Sequence, residues 1–355
     1  MAYPFTKTGY NIYDLMSLLQ NGIRRGLYNE AGFAAKHLKD EYRQMMWNRM
    51  FVISSEDCFG IITKELIALH EKDSKERDDD AVGKAIALMC KSLKSRDACY
   101  FSCNFILTTR KPREIEVSEE EARRIQSITG GGTEYDTNGF MQMSLSFDDD
   151  EPDEASYDGA RLQKALNHRD MDMAGYYADK YRKKDREFLW KVLIDNLDGV
   201  SRKEVMALCE ADSIVNKNKR EKDEIFLAKA CMIEMYSIDE SFEDIMSSEI
   251  VSEELIDWSK YPIRSINDCH INRIPDWVYD CHTLKGKKMG KTDWDMTVTE
   301  QAALYPLMDD YFSEASWIYT YEDDYRNGVE NDRTMAPIRE YAKTHVANPV
   351  EYLPY

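Results

Sequence analysis

The residues with the most potential for chemistry lie between Trp277 and Thr292, in a segment rich in lysine and glycine. Lysines neutralise phosphate groups, and glycines let the backbone come close to an anion. The sequence therefore predicts that a nucleic-acid backbone or a phosphorylated ligand binds here, through Lys285, Gly286, Lys287, Lys288, Gly290, Lys291 and Thr292. The alternative interpretation is an exposed basic loop that pairs with acidic groups of the same surface.

The same segment falls short of a nucleotide-binding loop. Between Gly286 and Thr292 it is one residue shorter than Gly-x-x-x-x-Gly-Lys-Ser/Thr, the motif that surrounds a phosphate with backbone amides. We therefore expect no ATP hydrolysis by this chain and no cofactor. A degenerate nucleotide-dependent or metal-dependent enzyme that uses residues 269–292 is kept as an alternative function.

Two identical Asp-Cys-His triplets, at 268–270 and 280–282, contain residue types that bind zinc. Adjacent residues seldom both face one ion, however, and no Cys-x-x-Cys spacing accompanies the triplets. We therefore expect no metal site and interpret the cysteines as buried thiols beside hydrogen-bonded imidazoles. The weak zinc candidates are Cys269, His270, Cys281 and His282.

No other set of side chains predicts catalysis. The remaining histidines are isolated in the sequence, which argues against a Ser-His-Asp or Cys-His site. Glu56 and Asp57 are adjacent carboxylates, but adjacent side chains tend to point apart. We expect them to cap a helix or to pair with Arg49.

An internal repeat determines which elements position these residues. When residue i is placed beside residue i+143, small, basic and aromatic residues coincide without gaps. Both copies also place apolar residues at the spacing of an amphipathic helix. The matched pairs include Ala31 with Ala174, Gly32 with Gly175, Ala35 with Ala178, Arg43 with Arg186, and Trp47 with Trp190.

The pattern predicts an all-α protein made of two tandem four-helix-like repeats, at residues 1–110 and 158–250. Few glycines and prolines, 16 and 9 in 355 residues, also favour helix over turn-rich β structure. Residues 111–157 are predicted to form a helix at 117–128 followed by a flexible acidic linker at 148–154. Residues 251–355 are predicted to form a loop-rich tail that packs on the helices and carries the basic segment.

The runs at 22–26, 31–38 and 49–60 resemble the helical C-terminal region of the RarA/MgsA family, which includes the Werner-helicase-interacting AAA+ ATPase. The resemblance covers about residues 10–105, and Ser55-Glu56-Asp57 is its most specific part. Members of that family carry an N-terminal ATPase module, whereas this chain begins almost at the helical region. The resemblance implies an oligomerisation region associated with replication forks, and it transfers no catalytic residue.

The composition limits the location and the partners. The net charge of −19 argues against a protein that coats nucleic acid over its whole surface. Scattered cysteines, no long apolar stretch and no signal-peptide pattern predict a reducing, cytoplasmic setting without a membrane.

The sequence thus predicts a non-catalytic accessory or scaffold protein of DNA replication or repair. It is expected to self-associate or to dock on a partner replication protein, and to contact DNA through the basic loop of the tail. A structural or host-interaction protein of a virus or mobile element is a further alternative.

Overall fold

A computed structural model describes residues 5–58, 62–104, 113–130, 151–216, 224–236, 257–261, 263–281, 283–291 and 304. These residues confirm the all-α prediction, since the regular elements among them are helices. They divide into two compact units. No helix in the described ranges combines the length and the apolar character that crossing a membrane requires.

The first unit is a bundle of five helices: α1 (Ile12–Arg24), α2 (Tyr28–Leu38), α3 (Arg43–Glu56), α4 (Thr63–Glu76) and α5 (Asp79–Lys91). The side chain of Asn11 caps α1, and that of Asp78 caps α5. Both accept hydrogen bonds from backbone amides that have no partner within the first helical turn. The central helix α1 packs against α2, α3 and α5.

The second unit contains α7 (Glu119–Gly130), α8 (Glu154–Asn167), α9 (Met171–Arg182), α10 (Arg186–Asp195), α11 (Gly199–Asn216) and α12 (Glu224–Tyr236). It begins with a short helix, α6 (Asp97–Asn104), of which all but the first residue belongs to this unit. The predicted helix at 117–128 corresponds to α7, and Ser118 and Glu121 cap it by exchanging hydrogen bonds. This helix packs against α8 and α10.

The acidic run at 148–154 differs from the predicted linker at its end. Asp153 caps α8 by accepting a hydrogen bond of 2.8 Å from the amide of Ser156, and α8 therefore begins at Glu154 rather than near 158. Residues 148–150 lie outside the described ranges. Farther along the two repeats, α4 extends to Glu76 and α11 to Asn216.

The two bundles contain the same buried Arg-Trp-Asp contact. In the first, Asp73 accepts a 2.6 Å hydrogen bond from Trp47 Nε1 and a 2.8 Å bond from Arg43 Nε. In the second, Asp212 accepts bonds of 2.9 Å from Trp190 Nε1 and 2.6 Å from Arg186 Nε. The contact joins α3 to α4 in the first bundle and α10 to α11 in the second.

Asp73 and Asp212 do not coincide in the alignment at 143 residues because the register of the repeat shifts before these residues. Within α4 and α11 the correspondence changes to i+139, which places Asp73 beside Asp212 and Glu65 beside Glu204. With this shift, Lys64–Ser74 and Lys203–Ser213 agree at seven of eleven positions. The register changes where the connection is shorter in the second copy: α3 ends at Glu56 and α4 begins at Thr63, whereas α10 ends at Asp195 and α11 begins at Gly199.

The described tail residues at 257–261, 263–281 and 283–291 belong to the first unit. Tyr28 Oη donates to the carbonyl of Arg264 at 2.5 Å, and Lys36 Nζ donates to the carbonyl of Asn267 at 2.7 Å. Short 3-10 turns at Ile266–Asp268 and Asp276–Val278 pack against α2 and α1, respectively. Backbone carbonyls of the tail therefore use side chains of the bundle as hydrogen-bond donors.

Candidate nucleic-acid interface

The basic segment of the tail is fixed to α1 immediately before it begins. Ser17 Oγ donates a 2.5 Å hydrogen bond to the carbonyl of Val278, whose side chain is fully buried. The guanidinium of Arg25 lies 4.5 Å from the centre of the Trp277 ring, a cation–π contact. The lysines that follow therefore start from an anchored point on the bundle.

Part of the segment is a single helical turn, α13 (Leu284–Lys288). Thr283 caps it: the hydroxyl accepts a 3.0 Å hydrogen bond from the amide of Gly286 and donates a 2.9 Å bond to the carbonyl of Asp280. Gly290, with a φ of +76°, follows the turn in the left-handed conformation that glycine favours. Thr292 lies outside the described residues.

The two glycines have a different role from the one that the sequence suggests. A Cβ on Gly286 would lie 1.8 Å from the carbonyl oxygen of Asp280, so this residue is glycine because two backbone segments touch. The amides of Lys287, Gly290 and Lys291 donate to carbonyls within the segment. These amides are therefore used internally, which leaves the lysine side chains as the cationic groups of the segment that can meet an anion.

The four lysines are not equivalent. Lys285 Nζ lies 3.9 Å from the centre of the Tyr279 ring and 3.7 Å from a carboxylate oxygen of Asp276. Burial raises the pKa of Asp14 on α1, and the charge of Lys285 partly offsets this rise. Lys287 and Lys288 are exposed and form no ion pair with the described residues. They are therefore the side chains most accessible to a phosphate.

Exposed apolar side chains accompany these lysines. Leu284 is 49% exposed and Met289 is 46% exposed, which is unusual among the large hydrophobic residues that the structure describes. We use the name α13 surface for the side chains of Leu284, Lys287, Lys288, Met289 and Lys291. This surface combines positive charge with apolar area, a composition suited to binding a partner.

The zinc candidates do not come together in the described part of the chain. Cys269 is fully buried against α2, and a Cβ on Gly32 would lie 2.5 Å from its Sγ. Burial raises the pKa of this thiol. Its neighbour His270 is exposed, and Cys281 is buried, while His282 is outside the described ranges. Among the described residues, no group of three or more His, Cys, Asp or Glu side chains could hold a metal ion.

Glu56 and Asp57 belong to a buried ion-pair network. Arg24 Nε donates to Asp57 Oδ1 at 2.7 Å, and an Arg24 guanidinium nitrogen lies 3.2 Å from Glu56. Arg96 lies 3.6 Å from both carboxylates. Burial raises the pKa of Glu56, but the charges of Arg24, Arg49 and Arg96 outweigh it and lower the pKa to about 2.

This network corrects the predicted partner of the two acids. Arg49 donates to Gln20 Oε1 instead of forming the main ion pair, and Arg24 and Arg96 hold the carboxylates. Asp57 is fully buried, and its backbone carbonyl accepts a 3.1 Å hydrogen bond from the amide of Ser95. The Ser55-Glu56-Asp57 turn thus joins three parts of the first bundle and exposes no carboxylate pair to a substrate.

The basic residues at 182–186 of the second copy divide into paired arginines and exposed lysines. Arg182 pairs with Asp179 at 2.5 Å, and Arg186 pairs with Asp212 at 2.6 Å. Lys183 and Lys184 are exposed. The strongly basic run at 182–186 therefore uses its arginines inside the unit, and only the two adjacent lysines project from it.

No family model matches the chain. No curated protein and no solved structure matches it either. The assignment of function therefore depends on the residues themselves.

Proposed function

We propose that this chain is a non-catalytic accessory or scaffold protein of DNA replication or repair. It acts by self-association or by docking on a partner replication protein, and it contacts the phosphate backbone of DNA through the lysines of the α13 surface. The link to replication comes from the resemblance to the RarA/MgsA family. The DNA contact comes from the geometry of the tail.

The observation that carries the DNA contact is the exposure of Lys287 and Lys288 on an anchored turn of a protein whose net charge is −19. A negative body repels DNA over most of its surface, so a local positive site would set the orientation of binding. Phosphate contacts of this kind depend on charge rather than on base sequence. We therefore expect binding with little sequence preference.

The arrangement of the carboxylates supports a non-catalytic role. Asp73 and Asp212 accept hydrogen bonds from buried tryptophans, and Glu56 and Asp57 pair with arginines. A general base must reach the proton that it removes. These four groups instead connect helices within each bundle.

A salt titration of DNA binding tests the proposal. The variant K287A/K288A/K291A should bind duplex DNA more weakly than the natural chain. If all three lysines contact phosphates, the slope of log K against log[salt] should become shallower by about 2 to 3, since each phosphate contact contributes about 0.9. Fluorescence anisotropy with a labelled duplex measures both quantities.

Two matched variants serve as controls. K183A/K184A removes two exposed lysines from the other unit and should leave the slope unchanged. K285A should have a smaller effect than K287A, because Lys285 already contacts Tyr279 and Asp276. An unchanged slope in the triple variant would exclude the α13 surface as the DNA contact.

A thermal shift assay tests the non-catalytic part. A scaffold without a nucleotide site should show the same melting temperature with and without ATP and Mg²⁺, since a ligand that binds only the folded state raises that temperature. Stabilisation by ATP would favour the nucleotide-dependent alternative.

A further inference from the structure

We propose that the α13 surface binds the acidic segment at residues 147–151 of a second copy of this chain. The segment reads Phe147-Asp148-Asp149-Asp150-Glu151 and joins one aromatic residue to four consecutive acids. This inference deepens the proposed function, because it names the surface and the partner for self-association.

The α13 surface has the composition that such a segment requires. Lys287 and Lys288 are exposed, and Leu284 and Met289 are 49% and 46% exposed beside them. A methionine sulfur and a leucine make favourable contacts with an aromatic ring. Phe147 would cover the apolar part, and the carboxylates would meet the lysines.

Charge complementarity distinguishes this segment from the rest of the chain. Much of the acidity in the described helices is already used, as in Asp73, Asp57 and Asp212, which pair with arginines inside the bundles. In the acidic run, Asp153 caps α8, while Glu151 is exposed. Residues 147–151 thus combine an aromatic residue with a run of four acids. Their charge is opposite to that of the α13 surface.

The same surface is proposed to contact DNA, so the two ligands should compete. Four consecutive acids, like a nucleic-acid backbone, present a run of negative charges to the same lysines. DNA should therefore dissociate the self-associated form, and removal of the acids should strengthen DNA binding by the natural lysines. This competition would couple assembly to DNA binding.

A charge-exchange experiment with the full chain tests the inference. The first variant is K287E/K288E, the second is D149K/D150K, and the third combines all four changes. Sedimentation velocity over a wide range of protein concentration measures the dissociation constant. Each reversal should weaken self-association roughly tenfold or more, because two attractive contacts become repulsive. The combined variant should recover most of the affinity.

The control is K183E/K184E, which makes the same change in net charge as K287E/K288E on exposed lysines of the other unit. It should self-associate like the natural chain. A natural chain that stays monomeric at every concentration would overturn the inference. So would self-association that survives either reversal, that the control weakens equally, or that the combined variant fails to restore.

DNA binding measured on the same variants separates this inference from the proposed function. If self-association fails the test while the K287A/K288A/K291A variant still loses DNA affinity, only the acidic partner is wrong. If self-association follows the charge exchange while DNA binding is absent, the inference about the second copy is supported and the proposed DNA contact is wrong.

Discussion

Replacement of Asp73 by asparagine should strongly destabilise the first bundle. The carboxylate is only 2% exposed, and it accepts hydrogen bonds from Trp47 Nε1 at 2.6 Å and Arg43 Nε at 2.8 Å. Asparagine preserves the shape but removes the negative charge. It also presents an amide NH₂ group to side chains that can only donate.

The magnitude follows from the contacts that remain. Breaking a buried ion pair by removing one partner costs about 3–5 kcal/mol. Arg43 keeps part of its pairing, since Asp79 lies 3.1 Å from its guanidinium. The remaining carboxylate lowers the cost of an unpaired arginine. We therefore expect a loss of about 2–3 kcal/mol in the free energy of unfolding, at or just below the lower limit of that range.

Equilibrium unfolding in urea, followed by tryptophan fluorescence, measures this loss directly, and Trp47 itself is one of the probes. The matched control is Glu71→Gln on the same helix, where the carboxylate is exposed and lies 3.9 Å from Lys75. It should change stability by less than about 0.5 kcal/mol. A D73N variant as stable as this control would refute the structural role of the Arg-Trp-Asp contact.

Two further perturbations test other parts of the structure. Gly286→Ala should displace α13 and cost about 1–3 kcal/mol, because the new Cβ would lie 1.8 Å from the Asp280 carbonyl; a G286A chain with unchanged melting temperature and DNA affinity would contradict this packing. Burial raises the pKa of Glu234 well above its usual value, and the nearby Asp195 adds to this rise, whereas the 2.8 Å hydrogen bond from Asn196 opposes it. Because the folded pKa is the higher one, the natural chain should lose stability as the pH rises from about 4.5 through that folded pKa. Glu234→Gln should remove this loss and gain stability relative to the natural chain between pH 5 and 8, as measured by urea midpoints; a pH-independent difference would contradict it.

The helices were largely predictable because their signals are local. The period of the apolar residues locates α2 and α9, and Ser118 with the acids after it locates the start of α7. The ends of α4 were less predictable, since its last turns, up to Glu76, are mostly polar and lack the apolar period. The domain limits and the link to replication stay predictions.

The candidate site was only partly predictable. The lysines are evident in the sequence, but a count of charges cannot tell that Lys285 contacts Tyr279 and Asp276 while Lys287 and Lys288 stay exposed. The Arg-Trp-Asp contacts were missed for another reason. The sequence alignment at 143 residues places Asp73 opposite Asn216, and a shift of four residues was needed to find Asp212.

The sequence by itself determined the helical class, the tandem arrangement of similar segments and the presence of a basic segment in the tail of an acidic chain. These properties depend on periodicity and composition, which act over a few turns of helix. Only the tertiary structure decided which arginine meets Asp57, why residue 286 is glycine and which lysines face solvent. These features depend on contacts between residues far apart in the chain, such as the hydrogen bond from Ser17 to the carbonyl of Val278. A local sequence pattern does not contain that information.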